Sequence, residues 1–118
     1  VFATAFPLVY IASLFTVDGG MAWGFGNRER PITTRPAWAD RAQRAHLNLI
    51  ENLVPFAALV LIAHVSGRAN ATTALGAQLF FYARLAYSIC YVAGLVPFRT
   101  VAFVLGQTGL FLIALQLL

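Results

Sequence analysis

Four apolar segments, separated by short polar stretches, give the chain its outline. Residues 1–17 carry no charge, close to the lower limit for a helix crossing a bilayer, which takes about 20 apolar residues. The connection over residues 18–40 is polar, and Gly24, Gly26, Pro31 and Pro36 argue against a regular element within it. Asp40 followed by Gln43 has the spacing of a capping box, so a second helix is expected from about Arg41 to Val65 or Ser66. At about 1.5 Å per residue it would be roughly 39 Å long. A turn at residues 67–70 leads to a third helix expected over 71–96, and Pro97 divides it from a fourth span, 99–118. The pattern predicts an all-α, integral membrane four-helix bundle, with residues 1–118 forming one domain.

The second helix breaks the apolar pattern. At about 100° per residue, Arg41, Arg44, Asn48, Glu51 and Asn52 fall within a sector of roughly 100°, with His46 on the other side among Leu49, Ile50 and Leu53. The apolar part, Leu53 to Val65, is too short to cross alone, so part of this polar stripe must lie at membrane depth. Polar groups there need a cavity, a partner chain or a ligand. Pro55 crowds the carbonyl of Glu51, which predicts a kink and a freed acceptor beside the stripe, although prolines also occur in ordinary transmembrane helices.

In the third helix Arg84 shares a face with Tyr87, Ser88 and Tyr91. An intramembrane arginine costs about 2.5–3.5 kcal/mol on insertion scales and calls for a carboxylate or carbonyl partner. Glu51 is the one acid outside the first connection. An Arg84–Glu51 or Arg44–Glu51 ion pair would account for these charges without any ligand. Gly106 and Gly109 would let the fourth helix approach a neighbour closely. Tyr10, Trp23, Trp38 and Tyr91 are candidate anchors at the membrane interface.

Composition supports the membrane assignment: 60% of the 118 residues are hydrophobic and 10% charged, against about 25% charged in soluble domains, with a mean hydropathy of +0.77. The net charge of +4 comes from arginines spread along the chain, with no lysine, and makes no nucleic-acid patch. Arginine in place of lysine fits anion recognition and fits coding bias equally well. Cys90 stands alone in an apolar run, so no disulfide or thiolate metal site forms within one chain, and no metal is expected. His64 is expected to be structural. The first segment has neither a preceding basic stretch nor a cleavage site, arguing for a span over a signal peptide. The sequence opens at Val1, without methionine, and further residues are expected before it.

Arg28, Arg30 and Arg35 lie in the first connection and Arg99 in the third, while the second holds Arg68 alone. The positive-inside tendency puts connections one and three in the cytoplasm. Arg44, Asn48, Glu51, Tyr87, Tyr91 and Arg99 then gather in the cytoplasmic half. Such an inventory suits a small zwitterionic peptide: arginines for carboxylates, Glu51 for an amino group, Asn48 for amides. An arginine beside a thiol would stabilise the thiolate and lower a pKa that is ordinarily about 8.5. Lipid-facing helices beside the site would admit a lipophilic second substrate from the bilayer.

The run R-A-H-L-N-x-x-E-N-x-x-P-F over residues 44–56 closely resembles the signature of the MAPEG superfamily, the membrane proteins of eicosanoid and glutathione metabolism. The A-R-L-A-Y-x-x-x-Y run at 83–91 followed by Arg99 is also similar to that family, and G-N-R-E at 26–29 resembles its bacterial members. The resemblance covers nearly the whole chain. It implies a homotrimer of four-helix subunits that binds glutathione, as co-substrate, between protomers in a bacterial inner membrane. By that likeness Arg44, Asn48 and Glu51 match glutathione-holding positions, and Tyr87 and Tyr91 match contacts on the third helix. Arg99 falls where the family has a thiolate-stabilising arginine, and Thr100 where one characterised member has a serine. Phe103 stands at about the position of a tyrosine in that member. The first helix lacks the arginine that characterised members have there, and Arg28 or Arg30 would have to substitute. The resemblance implies a glutathione-dependent transferase or peroxidase acting on lipophilic electrophiles or lipid hydroperoxides. The alternative is a non-enzymatic scaffold, a lipid-binding module or an accessory subunit of a larger membrane complex.

Overall fold

The computed structural model describes residues 2–29, 31, 32 and 34–118. Val1 and Arg30, which enter the expectations above, lie outside the described residues. Helix α1 (Phe2–Ile11) runs into a 3-10 turn over Ala12–Thr16, and is followed by α2 (Gly20–Phe25), α3 (Ala37–Val65), α4 (Ala71–Ala93) and α5 (Val96–Leu115). No strand occurs among the described residues. The four expected segments are α1 with its 3-10 turn, α3, α4 and α5.

Helix α2 corrects the expectation of an irregular first connection. Its glycines are packing residues: a Cβ at Gly20 would stand 2.5 Å from the Leu14 carbonyl oxygen, and one at Gly24 would stand 2.9 Å from Leu14 Cδ1. Their bare backbone lets this short helix close over the buried Leu14.

Helix α3 starts at Ala37, four residues before the position expected, and the Asp40–Gln43 capping box does not form. Gln43 Oε1 instead accepts a 2.9 Å hydrogen bond from Arg35 Nη1. The same nitrogen is 3.7 Å from Asp40. A capping box does open α4, where Asn70 Oδ1 accepts from the N–H groups of Thr72 and Thr73 at 2.9 and 3.0 Å. Thr73 Oγ1 accepts in return from the Asn70 N–H at 2.8 Å. Helices α3 and α4 both end on left-handed glycines, Gly67 at φ +68° and Gly94 at φ +79°. At each, the next residue's N–H reaches back to the last turn, Arg68 to the Ala63 carbonyl and Leu95 to that of Cys90. Pro97 lies in the first turn of α5, where its missing N–H removes no helical bond.

The chain folds into an elongated bundle of 53 × 30 × 20 Å. The most extensive contact joins α4 to α5; α3 packs on α4, and α1 on α3. Between α4 and α5, a Cβ at Gly109 would stand 2.5 Å from the Gly76 carbonyl oxygen, so backbone meets backbone there. Helix α1 is tied down through a proline. Pro7 has no N–H to bond the Ala3 carbonyl one turn back, and His46 Nε2 on α3 takes that oxygen at 2.9 Å. The His46 ring also stacks on Phe6 at 5.7 Å between centroids.

Helices α3 and α5 are long and apolar enough to cross a membrane, yet their most apolar windows are only 11% and 28% buried. A helix at the centre of a soluble protein would be mostly covered. Here Val54, Leu61, Phe98 and Phe111 point outward, so the solvent for these faces is lipid. The protein is an all-α integral membrane bundle.

Candidate functional site

The polar stripe of α3 is organised by Arg84, which is 2% exposed on α4. Its Nη1 donates to Asn48 Oδ1 at 3.0 Å and its Nη2 to Asn52 Oδ1 at 2.9 Å. Asn52 Oδ1 accepts a second bond from Gln107 Nε2 on α5, at 2.5 Å. Asn52 Nδ2 donates to the Asn48 carbonyl at 2.7 Å. Three helices are thus stitched through one guanidinium and three amides. The cation also lies near three ring faces, Phe103 at 5.0 Å, Phe80 at 5.3 Å and Tyr87 at 5.7 Å, whose quadrupoles partly replace a counter-charge.

The ion pairs that would account for these charges without a ligand do not form. Neither Arg84 nor Arg44 is paired with Glu51, and the ion pair found among the described residues is Arg35–Asp40. Helical phase explains the choice of partner. From Asn48, Asn52 lies about 40° to one side of the α3 axis and Glu51 about 60° to the other. Arg84 faces the Asn52 side. Glu51 is left exposed, as is Arg44.

On the Glu51 side the remaining candidates draw together at the α4–α5 junction. The Arg99 guanidinium lies over the Tyr91 ring at 4.6 Å, and the Tyr91 and Tyr87 rings are 5.5 Å apart. Tyr87 is buried and packs against Phe103 with centroids 6.1 Å apart. Arg99, Arg84 and Glu51 all lie within electrostatic reach of its hydroxyl. Arg44 precedes Asn48 by one turn and has no hydrogen bond or ion pair among the described residues. Thr100 is not drawn into this cluster: it is exposed, and its hydroxyl donates to the Val96 carbonyl of its own helix at 3.3 Å.

Arg41, at the head of the stripe, donates from Nε to the Val92 carbonyl at 3.0 Å and so closes the end of α4. Of the expected interface anchors, Tyr10 turns inward to His46 Nδ1 at 3.2 Å, and Tyr91 lies beneath Arg99. Arg28 bonds the Gly24 carbonyl through Nε and Nη2 and covers Trp23, at the first connection. Gln107 was not singled out from the sequence. The available signal was an amide in the middle of an apolar span, next to a glycine.

A helical bundle with outward apolar faces, an interior amide–guanidinium network and a cluster of exposed and half-buried charges beside it defines a membrane protein with a polar intramembrane site. The chain belongs to the MAPEG family, whose model matches residues 1–118. It is similar over 105 residues to microsomal glutathione S-transferase 1 from Bos taurus (39% identical), Sus scrofa (35%) and Homo sapiens (31%). Each match spans 88% of this chain and 68% of the relative. No solved structure matches it significantly.

Proposed function

We propose that this protein is a glutathione-dependent membrane transferase or peroxidase acting on lipophilic electrophiles or lipid hydroperoxides. The observation that carries the proposal is that Arg44 and Glu51 stay exposed beside Asn48, with no ion pair among the described residues, while Arg99 lies over Tyr91 close by Tyr87. Charges left unsealed beside a buried network are available to a charged ligand. Membership of the family and likeness to microsomal glutathione S-transferases support glutathione as that ligand.

In this reading Arg44 binds a carboxylate of the tripeptide, Glu51 its amino group and Asn48 a peptide group, with Tyr87, Tyr91 and Thr100 as further contacts. Arg99 is the catalytic residue, holding the thiol as thiolate. The thiolate sulfur attacks the electrophilic carbon, a carbon–sulfur bond forms, and the leaving group departs with its electron pair. With a hydroperoxide, the sulfur takes the terminal oxygen and the alkoxide leaves to be protonated. A second glutathione then reduces the resulting sulfenic acid, giving the disulfide and water. The lipophilic substrate arrives through the lipid-facing helices. We place residues 1–118 in one domain, the site on the cytoplasmic side of a bacterial inner membrane, and the active unit as a homotrimer with glutathione between protomers.

Titration of the purified protein with glutathione tests the site. Saturable binding lost in both Arg44→Ala and Glu51→Ala is the expected result, and binding unchanged in both rejects it. Thiolate absorbance at neutral pH on mixing separates an enzyme from a scaffold or accessory subunit.

A further inference from the structure

The amide orientations in the buried network are not free, because arginine is a donor at every nitrogen and accepts nothing. Whatever Arg84 touches must turn oxygen towards it, so Asn48 and Asn52 both present Oδ1 to the guanidinium. Asn52 is held from a second side, since Gln107 Nε2 donates to the same oxygen. Its nitrogen is thereby aimed at Asn48, donating to the backbone carbonyl at 2.7 Å and lying 3.4 Å from Oδ1. Both hydrogen-bonding directions at the Asn48 side-chain oxygen therefore face inward. Its Nδ2 has no hydrogen-bond acceptor among the described residues, and Asn48 is half-buried, one turn from the exposed Arg44.

We infer that the Gln107–Asn52–Arg84 chain locks Asn48 so that its amide nitrogen, and never its oxygen, meets the bound ligand. Asn52 and Gln107 are then positioning residues, and Asn48 sets specificity for a hydrogen-bond acceptor, a carboxylate or peptide carbonyl of the thiol peptide. The inference rests on the glutathione site proposed above and adds a polarity to it. Together with Arg44 and Arg99 it sets three donor groups beside one carboxylate, Glu51, which matches a ligand rich in carboxylates with one ammonium group.

Asn48→Asp separates positioning from mere support. A carboxylate keeps both acceptors towards Arg84 and Asn52 and gives Arg84 a counter-charge, yet removes the donor that faces the ligand. Glutathione affinity, measured in detergent solution beside the thermal unfolding midpoint, should fall at least tenfold, with the midpoint unchanged or raised. Gln107→Leu, which frees Asn52 to turn, should weaken binding several-fold. An Asn48→Asp protein that binds glutathione within twofold of the parent overturns the inference. If Arg44→Ala and Glu51→Ala still abolish binding in that case, the proposed site survives without this polarity. A parent protein that does not bind glutathione sinks both.

Discussion

The Arg84 guanidinium lies against Gly106 across the α4–α5 contact, so closely that a methyl at 106 would stand 3.1 Å from Nε and 3.3 Å from Cζ. Nε itself is buried and has no hydrogen-bond partner among the described residues. A guanidinium at liberty could yield the few tenths of an ångström a methyl needs. This one is fixed by Asn48 and Asn52 and lies among three rings. Alanine gains about 1 kcal/mol in helix propensity over glycine, while overpacking costs about 1–3 kcal/mol. Gly106→Ala should therefore come out near neutral to about 2 kcal/mol less stable. At Gly109 the obstacle is backbone, 2.5 Å away at Gly76, which cannot rotate aside. Gly109→Ala should lower the unfolding midpoint in detergent more than Gly106→Ala, and the reverse order would contradict this account of the α4–α5 contact.

Arg84→Lys tests whether the fork or the charge matters. An ammonium keeps the charge but cannot reach two amide oxygens in the fixed geometry of a guanidinium. Hydrogen bonds to charged groups are worth about 1.5–3 kcal/mol each, so loss of one should destabilise the protein by about that amount. If the unfolding midpoint of Arg84→Lys equals that of the parent, the paired amides are not what holds this cation.

The tether of α1 rests on a tautomer. The Ala3 carbonyl can only accept, so His46 Nε2 must carry the proton, which leaves Nδ1 to accept from the Tyr10 hydroxyl. Tyr10→Phe removes one neutral hydrogen bond, worth about 1 kcal/mol. His46→Leu strands the carbonyl that Pro7 already leaves unbonded, and should cost more, about 1–3 kcal/mol. Hydrogen exchange in α1 is the readout: it should rise in both variants, and further in His46→Leu.

Much of this is legible in the sequence. The four spans and the polar stripe follow from hydropathy and helical phase alone, and the close contact at Gly106 and Gly109 from residue size. What was hidden depended on partners distant in sequence. Asp40 and Gln43 have capping spacing, but Arg35 claims the Gln43 side chain and the helix starts at Ala37. Gly24 reads as a breaker because nothing in the sequence says that it packs on Leu14. Arg84 calls for a carboxylate or carbonyl partner, and finds the amide carbonyl oxygens of Asn48 and Asn52 instead of the Glu51 carboxylate. The rotation of α4 about its own axis, invisible in the sequence, turned it to Asn52. The grouping of Tyr87, Tyr91 and Arg99 follows from the charges of the connections and the helix order, whereas Thr100 rests on family likeness alone, and its hydroxyl bonds its own helix.

Arg99 carries the pH dependence of the proposed reaction. A positive charge beside the bound thiol favours the thiolate, so the thiol titrates below its ordinary range, about 8.5, and the rate limb that follows thiolate formation lies at correspondingly lower pH. Arg99→Leu removes that charge. The bound thiol should then titrate higher, the inflection in kcat/KM against pH should move to alkaline values, and activity at neutral pH should fall about tenfold for each pH unit of displacement. Above the new inflection parent and variant should converge, because both then hold thiolate. Arg99→Lys retains the charge but loses the planar stack on Tyr91, and its inflection should fall between the two. An inflection left in place by Arg99→Leu would remove this residue from the chemistry, leaving it only its contact with Tyr91.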